Sequence, residues 1–127
     1  MNTKKIPENH NVVMPYLIVN NALKFIEFMQ QVFNGELTYK GMRSETVIMH
    51  AEIKIGDSTI MFADSTEQFQ PQTAGMFVYV DDADAAFNKA VSLGAEPIME
   101  LEDKDYGRSG GVKDPFGNTW WITSVIA

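Results

Sequence analysis

The sequence predicts an α+β fold made of two copies of one βαβββ module, and three observations carry that prediction. A pattern of strand, helix and three strands occurs twice. The junctions of the two copies match, with Val19-Asn20-Asn21-Ala22 answering Val80-Asp81-Asp82-Ala83 and Gly35-Glu36 answering Ala95-Glu96. Between the copies lies a polar stretch, residues 65–74, with one proline and no apolar period. Self-similarity at this scale marks fused structural units. At 127 residues the chain is expected to be a single domain with a sizeable core. Module one falls at about 11–64, the linker at 65–74 and module two at about 75–127.

In chain order, residues 1–10 read as a loose arm with two lysines and no apolar run behind them, so they are not a signal peptide. Val12 to Val19 is β-branched and aromatic, a strand signal interrupted by Pro15, which suits an edge or bulged position. Asn20 and Asn21 can cap the helix that follows. Leu23, Ile26, Phe28, Met29, Val32 and Phe33 give it an apolar stripe, and Asn34-Gly35 closes it. Strands then fit 36–42, 46–55 and 58–63, the last two joined by a turn at Gly56-Asp57.

The second copy repeats this order. Met76 to Val80 is a strand, Asp81-Asp82 caps, and Ala83 to Leu93 is a helix closed by Gly94. Strands fit 95–101, about 106–113 and 118–126. The last two meet at Asp114-Pro115-Phe116-Gly117-Asn118, where aspartate can accept backbone hydrogen bonds, proline presets φ and glycine supplies a positive φ.

Period two sorts the strand at 46–55. Val47, Met49, Ala51, Ile53 and Ile55 share one face, which should pack on a helix. Ile48, His50, Glu52 and Lys54 share the other, where a His and a Glu would be costly in a fully packed interior. Composition narrows the partners. A net charge of −7 argues against nucleic acid or an anionic membrane as a partner, and no apolar run approaches a membrane span. With no cysteine, disulfides, thiolate metal sites and thiol nucleophiles are excluded, which fits a cytoplasmic location.

Pro15-Tyr16-Leu17, the run His50 to Gly56, Val80-Asp81-Asp82-Ala83-Asp84, and Val112 to Ile122 stand in an order and spacing that resembles the vicinal oxygen chelate superfamily, the glyoxalase, bleomycin-resistance and dioxygenase group, and most closely its PhnB-like branch. The resemblance covers Pro15 to about Ser124. It implies that the two modules pair into an eight-stranded, cup-like mixed sheet, with Met14, Tyr16 and Ile18, then Gly75, Phe77 and Tyr79, then Thr119, Trp121 and Thr123 facing inward. It also implies a homodimer. Such a lining is apolar and aromatic with few polar groups, as small-molecule sites are.

Enzymes of the superfamily hold a divalent ion with His, Gln or Glu at positions matched here by Met14, Gly75 and Trp121. A thioether is a poor ligand for a hard ion, glycine offers no side chain, and indole only donates. No cofactor is therefore expected. His10 lies in the arm, so only His50, Glu52 and Asp64 remain for a relocated site. Arg108, in the glycine-rich Tyr106 to Gly111, is expected on a loop over the rim, where it could meet an anionic ligand. Asp81, Asp82 and Asp84 read as helix capping. Two functions follow. The first is a metal-free protein that binds a small planar or aromatic compound with Met14, Tyr16, His50, Glu52, Phe77, Tyr79, Arg108 and Trp121. The alternative is a lyase, isomerase or dioxygenase with its metal moved to His50 and Glu52.

Overall fold

The computed structural model describes residues 5–126. The elements run β1 Tyr16–Val19, α1 Ala22–Phe33, β2 Glu36–Met42, β3 Ile48–Ile55, β4 Ser58–Asp64, β5 Gly75–Tyr79, α2 Ala83–Ser92, β6 Glu96–Lys104, β7 Gly107–Lys113 and β8 Thr119–Ser124. They form two four-stranded mixed sheets, ordered β1-β4-β3-β2 and β5-β8-β7-β6. In each, the first strand pairs in parallel with the last and the other pairings are antiparallel. The repeat read from the sequence is thus a repeat of topology.

Local chemistry sets the helix ends. Asn21 in the left-handed region accepts from the Lys24 amide, and Asp82 accepts from that of Ala85 at 3.1 Å. At the far end of α1 it is Asn34, with φ 56°, that makes the left-handed turn. Gly35 donates to the Met29 carbonyl and is small for another reason: a Cβ there would come within 2.7 Å of Ile53. Asp64 ties the module together, its two oxygens accepting from the amides of Ala22 at 2.8 Å and Ile48 at 2.7 Å. Each oxygen takes one backbone donor, so Asp64 acts as a structural clamp between α1 and β3.

One core serves both modules. Phe25, Phe28, Met29 and Val32 of α1 pack with Phe62 and Ile53 of the first sheet and with Phe87, Val112 and Trp120 of the second module. Phe33 meets Trp120 at 4.5 Å between ring centroids, and Phe25 meets Phe116 at 5.1 Å. Helix α1 therefore lies between the sheets, and the face of each sheet opposite its helix turns outward. The two outward faces point away from each other. No strand pairing, hydrogen bond or ring contact joins them among the described residues.

Four local expectations are corrected. The first strand starts at Tyr16 and not at Val12, for Val12 and Val13 stand 87 % and 83 % exposed without partners in a sheet. The strict alternation of β3 breaks at Met49. The β2 partners run from Gly41–His50 to Met42–Ile48, so Met49 is an inserted residue, 47 % exposed, while Ile48 turns into the core. Residues 107–113 form the strand read at about 106–113, a central one, and the rim loop expected over Tyr106 to Gly111 shrinks to the turn at Asp105-Tyr106. Gly110 and Gly111 suit a strand here because bulky groups lie flat on them, Phe87 and Leu101 against Gly110 and Trp121 against Gly111.

The fourth concerns the arm, of which residues 1–4 lie outside the described residues. The rest is tied down. Asn9, at φ 67°, turns the chain so that its carbonyl accepts from the Thr59 hydroxyl, and Asn11 accepts from the Thr59 amide at 2.8 Å. The linker is ordered too: Gln72 exchanges two backbone bonds with Ile18 on the outer edge of β1.

Candidate functional site

The outward face of the first sheet is built by register. Tyr16 pairs with Met61 and Met61 with Glu52, which sets these three side by side across β1, β4 and β3. Glu52 also pairs with Tyr39 of β2. His50, two residues before Glu52 on the same strand, returns to that face. Its ring stacks on Tyr16 at 5.4 Å and 25° and tilts against Tyr39 at 5.8 Å.

A line of hydrogen bonds crosses this face. His10 Nε2 lies 2.8 Å from one Glu52 oxygen and His50 Nε2 lies 2.8 Å from the other. His50 Nδ1 lies 3.0 Å from the Tyr16 hydroxyl. An ionised carboxylate only accepts, so each Nε2 carries the proton and donates to it. In the neutral imidazole Nδ1 of His50 is then left to accept from Tyr16. Burial alone would raise the Glu52 carboxyl, but hydrogen bonds from His50 and His10, and their charge when protonated, hold it below its ordinary 4.5. Burial and the nearby Glu52 charge push Tyr16 up, which keeps it a phenol.

The outward face of the second sheet is aromatic along β5 and β8, with Lys113 and Glu96 paired beside Thr119 towards its β6 side. Gly75, Phe77 and Tyr79 of β5 pair with Thr119, Trp121 and Thr123 of β8. Phe77 lies 5.3 Å from Tyr79 and 6.1 Å from Tyr106, ring to ring. Trp121 lies across Gly111, where a Cβ would meet the indole at 2.5 Å. Thr123 leaves the open part of this face, being fully buried with its hydroxyl 2.8 Å from that of Ser109. A cleft of about 610 Å³ between the β3–β4 turn and β5 is bounded by Ile55, Ile60, Met76 and Trp120. It lies at the seam between the modules and reaches Phe77 and Tyr79 at the edge of the second ring-lined face.

Of the residues expected at one site, Tyr16, His50 and Glu52 come together, and Phe77, Tyr79 and Trp121 come together, on opposite sides of the chain. Met14 lies just before β1, half-buried. Arg108 belongs to neither group. It projects to the helix side, where it grips Asp84 at 2.8 and 3.1 Å and Asp103 at 3.1 Å. Asp84 is thus the partner of Arg108 and not only a dipole complement, and its carboxyl is held below the usual range chiefly by that bond. The residue missed from the sequence is His10. Its signal was the flanking Asn9 and Asn11, side chains suited to pinning an arm to a sheet edge.

Gly75 and Trp121 offer no ligand for a divalent ion, and Met14 offers a thioether. His10, His50 and Glu52 are three potential ligands, but the carboxylate lies between the two imidazoles and takes the Nε2–H of each. Among the described residues no group of three His, Cys, Asp or Glu side chains is arranged to hold a metal. The arrangement fits hydrogen bonding and not coordination.

Comparison with known proteins agrees with the topology. Residues 9–122 match the Glyoxalase/Bleomycin resistance protein/Dioxygenase superfamily. The Mycobacterium bovis protein Mb0911c is 30 % identical over 124 residues, covering 88 % of this chain and 82 % of its own. Among solved structures, TioX from Micromonospora sp. ML1 superposes with a TM-score of 0.72 at 22 % identity, over 91 % of this chain and 100 % of that one. A PhnB protein from Bacillus cereus superposes with a TM-score of 0.76 at 18 % identity, with the same coverage. No helix among the described residues is long and apolar enough to cross a membrane.

Proposed function

The chain belongs to the Glyoxalase/Bleomycin resistance protein/Dioxygenase superfamily, and within it we propose a metal-free binding protein for a small planar or aromatic compound. Members of the superfamily commonly bind small molecules and form dimers. The observation that carries the reading is the pair of outward, ring-lined faces. Tyr16, Tyr39, Phe77, Tyr79 and Tyr106 are each between 47 % and 62 % exposed, all on the sides away from the helices. Rings clustered and exposed in this way mark a surface that is used.

One chain alone offers two half-cups. In the proposed assembly two copies pair about a twofold axis, and the first sheet of each faces the second sheet of the other. The edge of β5 and the Tyr16 end of the β1 edge, where Gln72 takes up only Ile18, suit this pairing. The bonds from Met61 to Pro15 and from Ser65 to Val19 commit those carbonyls of the β1 segment to β4, which leaves the Tyr16 backbone free at the outer edge. The bonds from Val80 to Thr123 and from Thr119 to Ala74 likewise leave Gly75, Phe77 and Tyr79 free along β5. A planar ligand in such a cup gains about 0.5–1.5 kcal/mol per ring contact. With ~200 Å² of apolar surface at about 25 cal/mol per Å² adding about 5 kcal/mol, the gross gain exceeds the lower range of the cost of association. The net charge of −7 favours a neutral or cationic compound.

Titration of flat aromatic compounds against tryptophan fluorescence tests the reading. Hits should quench Trp121, weaken about tenfold or more in Trp121→Ala, and survive EDTA. Binding that vanishes with chelator, together with about one metal ion per chain that is lost in His50→Ala, would replace it with the metal-dependent enzyme.

A further inference from the structure

The hydrogen-bond line on the first sheet has a direction, and that direction selects a ligand. Glu52 stands at one end as a pure acceptor, taken up by the Nε2–H of His50 and of His10. In the neutral imidazole this leaves His50 Nδ1 as an acceptor, and the Tyr16 hydroxyl spends its only proton there at 3.0 Å. What remains at the exposed end is the lone pair of the Tyr16 oxygen, on a residue 47 % exposed beside the stacked imidazole.

Successive donors in one direction polarise each other, so the carboxylate makes the terminal phenol oxygen a better acceptor and a poorer donor. Resting on the reading of the face as half of a ligand cup, we infer that Tyr16 is the polar anchor of the site. It takes a hydrogen bond from an O–H or N–H group on the rim of a flat aromatic ligand. His50, Glu52 and His10 are positioning residues. They hold the phenol proton away from the ligand, so the site distinguishes a donor from an acceptor of the same shape.

The test uses three fluorescent or absorbing probes of nearly one outline: carbazole with an N–H, dibenzofuran with a bare ether oxygen, and 9-fluorenone with a carbonyl acceptor. The full-length protein should bind carbazole about tenfold more tightly than the other two, the discrimination of one good hydrogen bond. Tyr16→Phe should bring carbazole down to the level of dibenzofuran and leave dibenzofuran unchanged, which also shows that the variant folds. Glu52→Gln, whose amide can donate as well as accept, should shrink the preference and not the dibenzofuran affinity. Equal binding of the three, preference for 9-fluorenone, or a carbazole preference that survives Tyr16→Phe would overturn the anchor while leaving the cup intact. Failure of all three to bind would overturn the cup, and the anchor with it.

Discussion

At the scale of single residues, Asp114 carries the second module. It is 3 % exposed and accepts from the amides of Phe116 at 2.9 Å and Asn118 at 2.8 Å, from the Asn118 side chain at 3.1 Å and from the Trp120 indole at 2.8 Å. Asn118, itself fully buried, passes the connection on to the Ala74 amide that leads into β5. Removing the carboxylate strands several buried donors, each costing about 1–3 kcal/mol. Asp114→Ala should therefore lose about 3 kcal/mol or more in urea denaturation, and Asp114→Asn less. A loss under about 0.5 kcal/mol, the range of an ordinary surface change, would contradict this role. This was the most legible part of the sequence, since Asp-Pro-x-Gly-Asn fixes φ, donor and acceptor locally. Gly110 and Gly111 drew two competing readings, strand and rim loop, because their reason is not local. A glycine pair suggests a loop until the Trp121 and Phe87 rings that rest on it are known.

At the scale of elements, helices and strands followed their apolar periods to within a few residues, because one packed face dictates each period. The exceptions occur where a single residue escapes that rule. Met49 bulges out of β3, and the alternation read across it inverted Ile48. The side chains beyond the bulge, His50 and Glu52, still fell on the face the pattern gave them. The arm from Asn9 to Asn11 has no period at all, so only the two asparagines that pin it signalled that His10 could reach the sheet and complete the line to Glu52. That line has a consequence in acid. The folded Glu52 carboxyl sits below its ordinary 4.5, so it binds protons less readily than in the unfolded chain. The stability it contributes is full above the ordinary value and is lost as pH falls through the lower, folded one. Melting temperatures of the native protein and Glu52→Gln should differ near neutrality and converge below about pH 4. A gap that stays constant through that range would show that the two imidazoles do not hold the carboxylate.

At the scale of the whole molecule, the sequence carried the fold but not the relation of the two halves. Parity puts Tyr16 and Trp121 on inward faces, yet only the packing of Phe33 on Trp120 shows that those faces look in opposite directions within one chain. The proposed cup therefore depends on which sheet faces which. Mixing two variants reads this directly. Tyr16→Ala spoils the first sheet and Trp121→Ala the second, so each protein alone has every cup damaged. Unfolded together and refolded at equal concentration, half of the dimers should be mixed, and in each of these one cup joins the two undamaged sheets. The cup made between chains predicts that about a quarter of all sites regain native affinity for the planar ligand, with native fluorescence quenching. If mixing restores no sites although mixed dimers form, the ligand site is not built from the first sheet of one chain and the second sheet of the other. If only a species of the chain's 14.2 kDa is found, there is no pair to complete it.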